Sequence, residues 1–178
     1  AASKSFSLAA MKIAWFFSTN PELLALVRGQ HRANTNTLGV VANQGALTDE
    51  GADWLDQVNA YIDANQDFAE QYIRDNLPGV EYTKAQGTYL AWIDIGGVAE
   101  RLGAKRLAEE ATANSDTGRA VTAENIVGNW FVENAKVQLN AGSSYGPGGE
   151  NHMRMNVATS RQTLKLALDN MAAALNDL

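Results

Sequence analysis

A long amphipathic segment in the middle of the chain limits the possible folds most strongly. From Asp53 onward, apolar residues recur at spacings of three and four, which is typical of one face of an α-helix. These residues are Trp54, Val58, Tyr61, Ile62, Phe68, Tyr72 and Ile73. Leu77-Pro78-Gly79 should end the helix, because proline and glycine stop helices. We interpret residues 53–77 as a bridge from a piece of one domain to a compact second domain, with a boundary near residue 48.

Shorter patterns on both sides of this helix predict strands and further helices. Segments rich in β-branched and aromatic residues predict strands, and these are residues 13–17, 80–83, 88–95, 137–140 and 153–157. Helical patterns occupy residues 21–28, 34–48, 98–112, 123–135 and 161–175. We expect residues 80–83 and 88–95 to pair as a hairpin, residues 13–17 to be buried, and Tyr89 and Trp92 to pack in the core. The fold class is therefore α/β, with a mixed sheet covered by helices.

Composition excludes several classes of function. The 178 residues carry a formal net charge of -6 without a basic stripe, so we expect no nucleic-acid partner. No cysteine is present, which excludes disulfides and thiolate chemistry. His31 and His152 are isolated, so we expect no metal site. No apolar run is long enough to cross a membrane, and we expect a cytoplasmic protein.

Lys4 is the first residue with a chemical interpretation. It lies between two serines and ahead of an apolar segment, so desolvation would favour the neutral amine that attacks an aldehyde. A surface lysine is the alternative. Lys12, eight residues later among small and apolar neighbours, would need an anion close by. The chain starts at Ala1 without methionine, and we interpret it as a fragment of a longer protein.

The run from Ser3 to Lys12 resembles the cofactor-binding segment of fold-type I pyridoxal-phosphate (PLP) enzymes, the aminotransferase class I/II family. The resemblance implies that Lys4 forms a Schiff base with PLP and that Lys12 contacts the cofactor phosphate, with Ser3 as a weaker phosphate ligand. Two departures are visible: Ala10 stands where glycine is common, and Lys12 stands where arginine is frequent. Lysine still supplies a positive charge to a phosphate.

A second segment resembles the same family. The glycine-rich loop 142–149 leads into residues 152–158, where the family places an arginine that binds the substrate α-carboxylate. By resemblance that residue is Arg154, since a guanidinium offers two parallel hydrogen bonds to a carboxylate. A solvent-facing strand arginine is the alternative. The loop lacks the residues of a phosphate loop, so we expect it to form a turn at the rim of the site.

Residues 48–55 and 86–94 resemble the branch that contains cystathionine β-lyases and related C–S lyases. The resemblance implies the C-terminal part of a PLP-dependent transferase fold: residues 1–48 would end the large PLP-binding domain, and residues 49–178 would form the bridging helix and the small domain. It implies a β-lyase acting on sulfur amino acids, a homodimer when intact and inactive as a fragment. An aminotransferase is one alternative, and a non-catalytic binding or assembly module is the other.

Overall fold

The computed structural model describes residues 2–30, 36–115, 118 and 120–178. They form two compact units, residues 1–60 and 61–178. The helices are α1 (Ala2–Ser5), α2 (Pro21–Gln30), α3 (Thr37–Ala46), α4 (Asp49–Asn76), α5 (Gly96–Leu102), α6 (Ala104–Ala113), α7 (Ala123–Ala135) and α8 (Arg161–Asn176). The strands are β1 (Leu90–Asp94), β2 (Asn140–Ala141) and β3 (His152–Asn156). The predicted domain boundary at residue 48 stays a prediction.

Helices and one 3₁₀ turn are the regular secondary structure in the described part of the first unit, and residues 12–20 have none. Asn20 caps α2 by accepting hydrogen bonds from the backbone N–H groups of Glu22 and Leu23. Asn36 caps α3 in the same way. The predicted connector helix is confirmed over Thr37–Ala46, whereas its first residues, and His31, lie outside the described part of the chain.

The prediction of a buried strand at residues 13–17 is wrong. This segment has no strand, and Trp15, Phe16 and Phe17 are 46%, 52% and 86% exposed. A strand must share its backbone hydrogen bonds with a neighbouring strand, and the described residues of this unit contain none.

The second unit contains a three-stranded antiparallel sheet with the order β1-β3-β2. The described sheet is therefore antiparallel, which corrects the prediction of a mixed sheet. One face of β1 and β3 is buried against α7 and α8. The apolar residues of this core include Ala91, Ile93, Met153, Met155, Val127, Phe131, Leu164 and Leu168.

The predicted hairpin between residues 80–83 and 88–95 is wrong as well. β1 pairs with β3, and residues 80–83 contribute a single bridge from Glu81 to Asp94. The segment that follows is held by side chains of α4 instead of by a strand. Glu70 accepts a hydrogen bond from the Lys84 N–H at 2.7 Å, and the Gln66 amide donates to the Thr88 carbonyl at 3.2 Å. These side-chain hydrogen bonds hold the segment in place of the backbone hydrogen bonds between two hairpin strands.

The remaining helix predictions agree with the structure, with one interruption. Residues 98–112 form α5 and α6, because Gly103 takes a left-handed conformation (φ 62°) that ends the first helix. α7 covers the predicted residues, and α8 starts at Arg161 with Ser160 as its N-cap. Within the described residues, no helix has both the length and the apolar composition to cross a membrane.

Candidate substrate-binding site

The open face of the sheet in the second unit carries the polar residues of β3. Along this strand, Met153 and Met155 are buried, whereas His152 and Arg154 lie on the opposite face and are half-buried. Trp92 of β1 is the cross-strand partner of Arg154 and shares its face. Because side chains alternate between the two faces of a strand, Arg154 lies on the face opposite the core, next to the side chains of its neighbours.

Arg154 packs against the Tyr145 ring and pairs with no acid in the part of the chain that the structure describes. Its guanidinium carbon lies 4.5 Å from the centre of the Tyr145 ring. Its Nε is buried and has no hydrogen-bond acceptor among the described residues. In the same part of the chain no carboxylate lies within ion-pair distance of Arg154. A buried, unpaired donor on a cation is costly, so this guanidinium fits an anionic partner.

An aromatic cluster surrounds the arginine. The Trp92 ring meets the Tyr145 ring edge-on at 5.8 Å and stacks on the His152 ring, also at 5.8 Å. The prediction that Trp92 packs in the core is therefore wrong: it is 38% exposed, because its neighbours Ala91 and Ile93 occupy the core side of β1. His152 is the first residue of β3.

The glycine-rich loop brings Tyr145 to this site. After β2, residues Gly142–Tyr145 form a 3₁₀ turn, and the loop closes where Gly142 meets Gly149. A Cβ on Gly149 would lie 2.1 Å from the Gly142 carbonyl oxygen, so two glycine backbones are required at this crossing. The loop shapes the surroundings of Arg154, as we expected of a rim turn.

A buried carboxylate fixes the end of this loop. Glu124, 4% exposed in the first turn of α7, accepts a hydrogen bond from the Asn151 N–H at 2.8 Å. Burial alone would raise the pKa of Glu124, but hydrogen bonds from this N–H and from the Thr122 and Ser143 hydroxyls outweigh it and lower the pKa. Asn151 in turn accepts from the Ile95 N–H at 2.8 Å, which joins the loop to the end of β1.

The other predicted site residues lie in the first unit. Ser3 and Lys4 are on α1, where Ser3 is half-buried and Lys4 is exposed, so the expected desolvation of the Lys4 amine is not found within the described residues. Lys12 follows the 3₁₀ turn Ala9–Met11, is exposed, and has a left-handed backbone conformation (φ 52°). α1 contacts this turn. Among the described residues neither ammonium group takes part in an ion pair.

Comparison with known proteins identifies the family. The profile of aminotransferase class I and II matches residues 1–171. The chain belongs to this family. The resemblance found in the two sequence segments is thereby confirmed, and so is the predicted class of fold.

Relatives within the aminotransferase class I and II family include C–S lyases. The chain is 31% identical over 141 residues to cystathionine beta-lyase PatB of Bacillus subtilis, covering 79% of this chain and 30% of that protein. A relative from Mycobacterium tuberculosis strain H37Rv is 32% identical over 178 residues, covering 98% of this chain and 42% of that protein. The PLP-bound C–S lyase of Staphylococcus hominis, complexed with L-cycloserine, superposes with a TM-score of 0.75 at 27% identity, covering 99% of this chain and 40% of that one.

The chain is shorter than these members of the family. It spans 30% to 42% of the length of the curated relatives PatB and the Mycobacterium tuberculosis protein. The activity, substrates and partners of these longer relatives therefore do not follow for this chain from similarity alone.

Sequence reasoning missed three residues of the site. The sequence pattern places Tyr145 in a glycine-rich loop, predicts Trp92 in the core, and does not distinguish Glu124 from the other acidic residues. A strict period of two along β1 would have placed Trp92 opposite Ala91 and Ile93. No comparable signal exists for Glu124, since its partners come from residues up to 27 positions away.

Proposed function

We propose that this chain is the C-terminal part of a PLP-dependent C–S β-lyase, similar to cystathionine β-lyase, that acts on sulfur amino acids. The similarity to PatB over 79% of the chain supports the choice of reaction. The observation that carries the site is the half-buried guanidinium of Arg154, which has an unpaired Nε and no acid partner in the described part of the chain. An amino acid supplies the carboxylate that this group lacks.

Lys4, Lys12 and Ser3 would hold the cofactor. Within the described residues, Lys4 and Lys12 are exposed amines without ion-pair partners. Ser3 and Lys4 lie on α1, and Lys12 directly follows the 3₁₀ turn that α1 contacts. In this proposal Lys4 would bond the aldehyde carbon of the cofactor, and Lys12 and Ser3 would bind its phosphate. When bound, PLP supplies the electron sink that makes proton loss at the substrate Cα possible.

The residues of the chain then have separate tasks. Arg154 binds the α-carboxylate through two N–H groups and so fixes the direction of the Cα–H bond. Lys4 would take the proton from Cα as a general base. In a β-lyase the Cβ–S bond would then break and the sulfur would leave as a thiol with a proton, and one water molecule would hydrolyse the remaining three-carbon enamine to pyruvate and ammonia.

An aminotransferase is the second candidate, favoured by the description of the family itself. Lys4 and Arg154 would have the same tasks, but the carbon skeleton would leave intact as a keto acid. The full-length enzyme given L-cystathionine distinguishes them, because only the lyase releases pyruvate together with a thiol. A keto acid of unchanged carbon skeleton, formed only when an amino-group acceptor is supplied, would favour the aminotransferase.

We also propose that the intact enzyme is a homodimer in the cytoplasm, as the resemblance implies. Light scattering of the full-length protein tests the dimer: twice the mass of the polypeptide supports it, and a monomeric mass would refute it. A chain that forms no pyruvate, no keto acid and binds no PLP at full length would instead support the non-catalytic module.

A further inference from the structure

Tyr145 stands out among the residues around Arg154 because its ring lies against the charged group itself. The guanidinium carbon is 4.5 Å from the ring centre, a distance at which a cation is attracted by the ring face. Tyr145 is 50% exposed, so the ring contributes little to the core. Its hydroxyl has no hydrogen-bond partner among the described residues.

The position of this ring is fixed from two sides. The edge of the ring meets Trp92 at 5.8 Å, with an interplanar angle of 70°. The loop that carries Tyr145 is closed by the Gly142–Gly149 crossing and tied to α7 through Glu124. An exposed aromatic residue on a free loop would sample many positions, whereas this one is restrained at the guanidinium.

A restrained ring limits the orientations of the arginine. Arginine has many rotamers, and holding one of them costs conformational entropy at the moment of binding. If the ring already holds the guanidinium in one orientation, the carboxylate binds to a group that is already oriented for binding. We propose that Tyr145 is a positioning residue, which orients Arg154 for the substrate α-carboxylate without touching the reacting atoms. This inference rests on the proposed role of Arg154.

Steady-state kinetics of the full-length enzyme with L-cystathionine test the inference. Tyr145→Leu removes the ring, and Tyr145→Phe keeps it and serves as the matched control. From the usual strength of a cation–π contact, Tyr145→Leu should raise KM about tenfold and change kcat by less than about threefold. Tyr145→Phe should leave KM within about twofold of the wild-type value, since the ring face is retained.

A double-mutant cycle separates positioning from a general effect on the structure. If Tyr145 acts through Arg154, Tyr145→Leu should raise KM in the wild type but not in an Arg154→Gln background. Equal increases in both backgrounds, or equal effects of the Leu and Phe variants, would overturn the inference. Failure of the proposed function looks different: Arg154→Gln would then leave KM unchanged by itself.

Discussion

Glu124 is a buried acid that remains charged because its oxygens accept several hydrogen bonds. Its pKa is lowered from the ordinary value of 4.5, so its stabilising effect is present above that pH and is lost as the pH falls through the lowered pKa. We expect the free energy of unfolding to decline below about pH 4.5, and Glu124→Gln to reduce that decline while lowering stability at neutral pH by about 1 to 3 kcal/mol.

Urea unfolding of the chain at a series of pH values measures this effect. Glu109→Gln, at an exposed position on α6, is the matched control and should leave the pH profile as in the wild type. If Glu124→Gln keeps both the neutral stability and the acid decline of the wild type, Glu124 does not anchor the loop.

Arg154 is the residue on which substrate affinity should depend. Removing its charge with Arg154→Gln should raise KM for the amino-acid substrate by about a hundredfold, since hydrogen bonds between charged groups are lost. Arg106→Gln is the control, because Arg106 is exposed on α6 and pairs with Glu110. A KM for Arg154→Gln within twofold of the control would contradict the carboxylate role.

The glycine-rich loop depends on the close approach of two backbones. A methyl group at position 149 would overlap the Gly142 carbonyl and lie 2.8 Å from the Ser143 nitrogen. We therefore expect Gly149→Ala to lower the free energy of unfolding by about 1 to 3 kcal/mol. Gly87→Ala has no atom within 4 Å of the new methyl, so it should be neutral or stabilise by about 0.4 to 1 kcal/mol. Equal stabilities of the two variants in urea would be inconsistent with the crossing.

Helix α7 contacts the sheet and helices α5, α6 and α8. Phe131 is fully buried in the core cluster, and its truncation to alanine should cost about 3 to 5 kcal/mol. Its neighbour Val132 is 42% exposed, so Val132→Ala should change stability by less than about 0.5 kcal/mol. Thermal unfolding monitored by circular dichroism compares them, and similar melting temperatures would refute the described packing.

Local patterns predicted the helices better than the strands. α4, α7 and α8 follow from local helical patterns, and Pro78-Gly79 marks the end of α4, so these signals act within a few residues. Strand pairing could not be predicted in this way. β1 finds its partner some 60 positions later in β3, while side chains of α4 hold the segment that would have formed the hairpin.

The residues of the candidate site also differ in how well the sequence predicts them. Arg154 follows from a recognisable segment, and its role stays a prediction, although its Nε has no hydrogen-bond partner among the described residues. The ring of Tyr145 and the carboxylate of Glu124 act through contacts between distant elements, which spacing along the chain does not specify. The opposite case is the exposed segment with Trp15, Phe16 and Phe17. Its apolar composition predicts a strand, but the described residues of the first unit contain no strand with which it could pair.

The two compact units divide the proposed tasks between them. Residues 1–60 contain the amines and hydroxyl assigned to the cofactor, and residues 61–178 contain the guanidinium assigned to the substrate. The whole account therefore depends on Lys4 being the residue that bonds the cofactor aldehyde, because a different lysine would remove the base from the proposed reaction.

Borohydride reduction of the full-length enzyme loaded with PLP tests this claim most directly, because it makes the bond between lysine and cofactor permanent. Mass spectrometry of the digested protein then locates the pyridoxyl group. We predict that it is found on Lys4, and that Lys4→Ala loses both the label and the visible absorbance of the bound cofactor, whereas Lys105→Ala on α6 retains both. A label on Lys12 or on any other lysine, with Lys4 unmodified, would contradict the account.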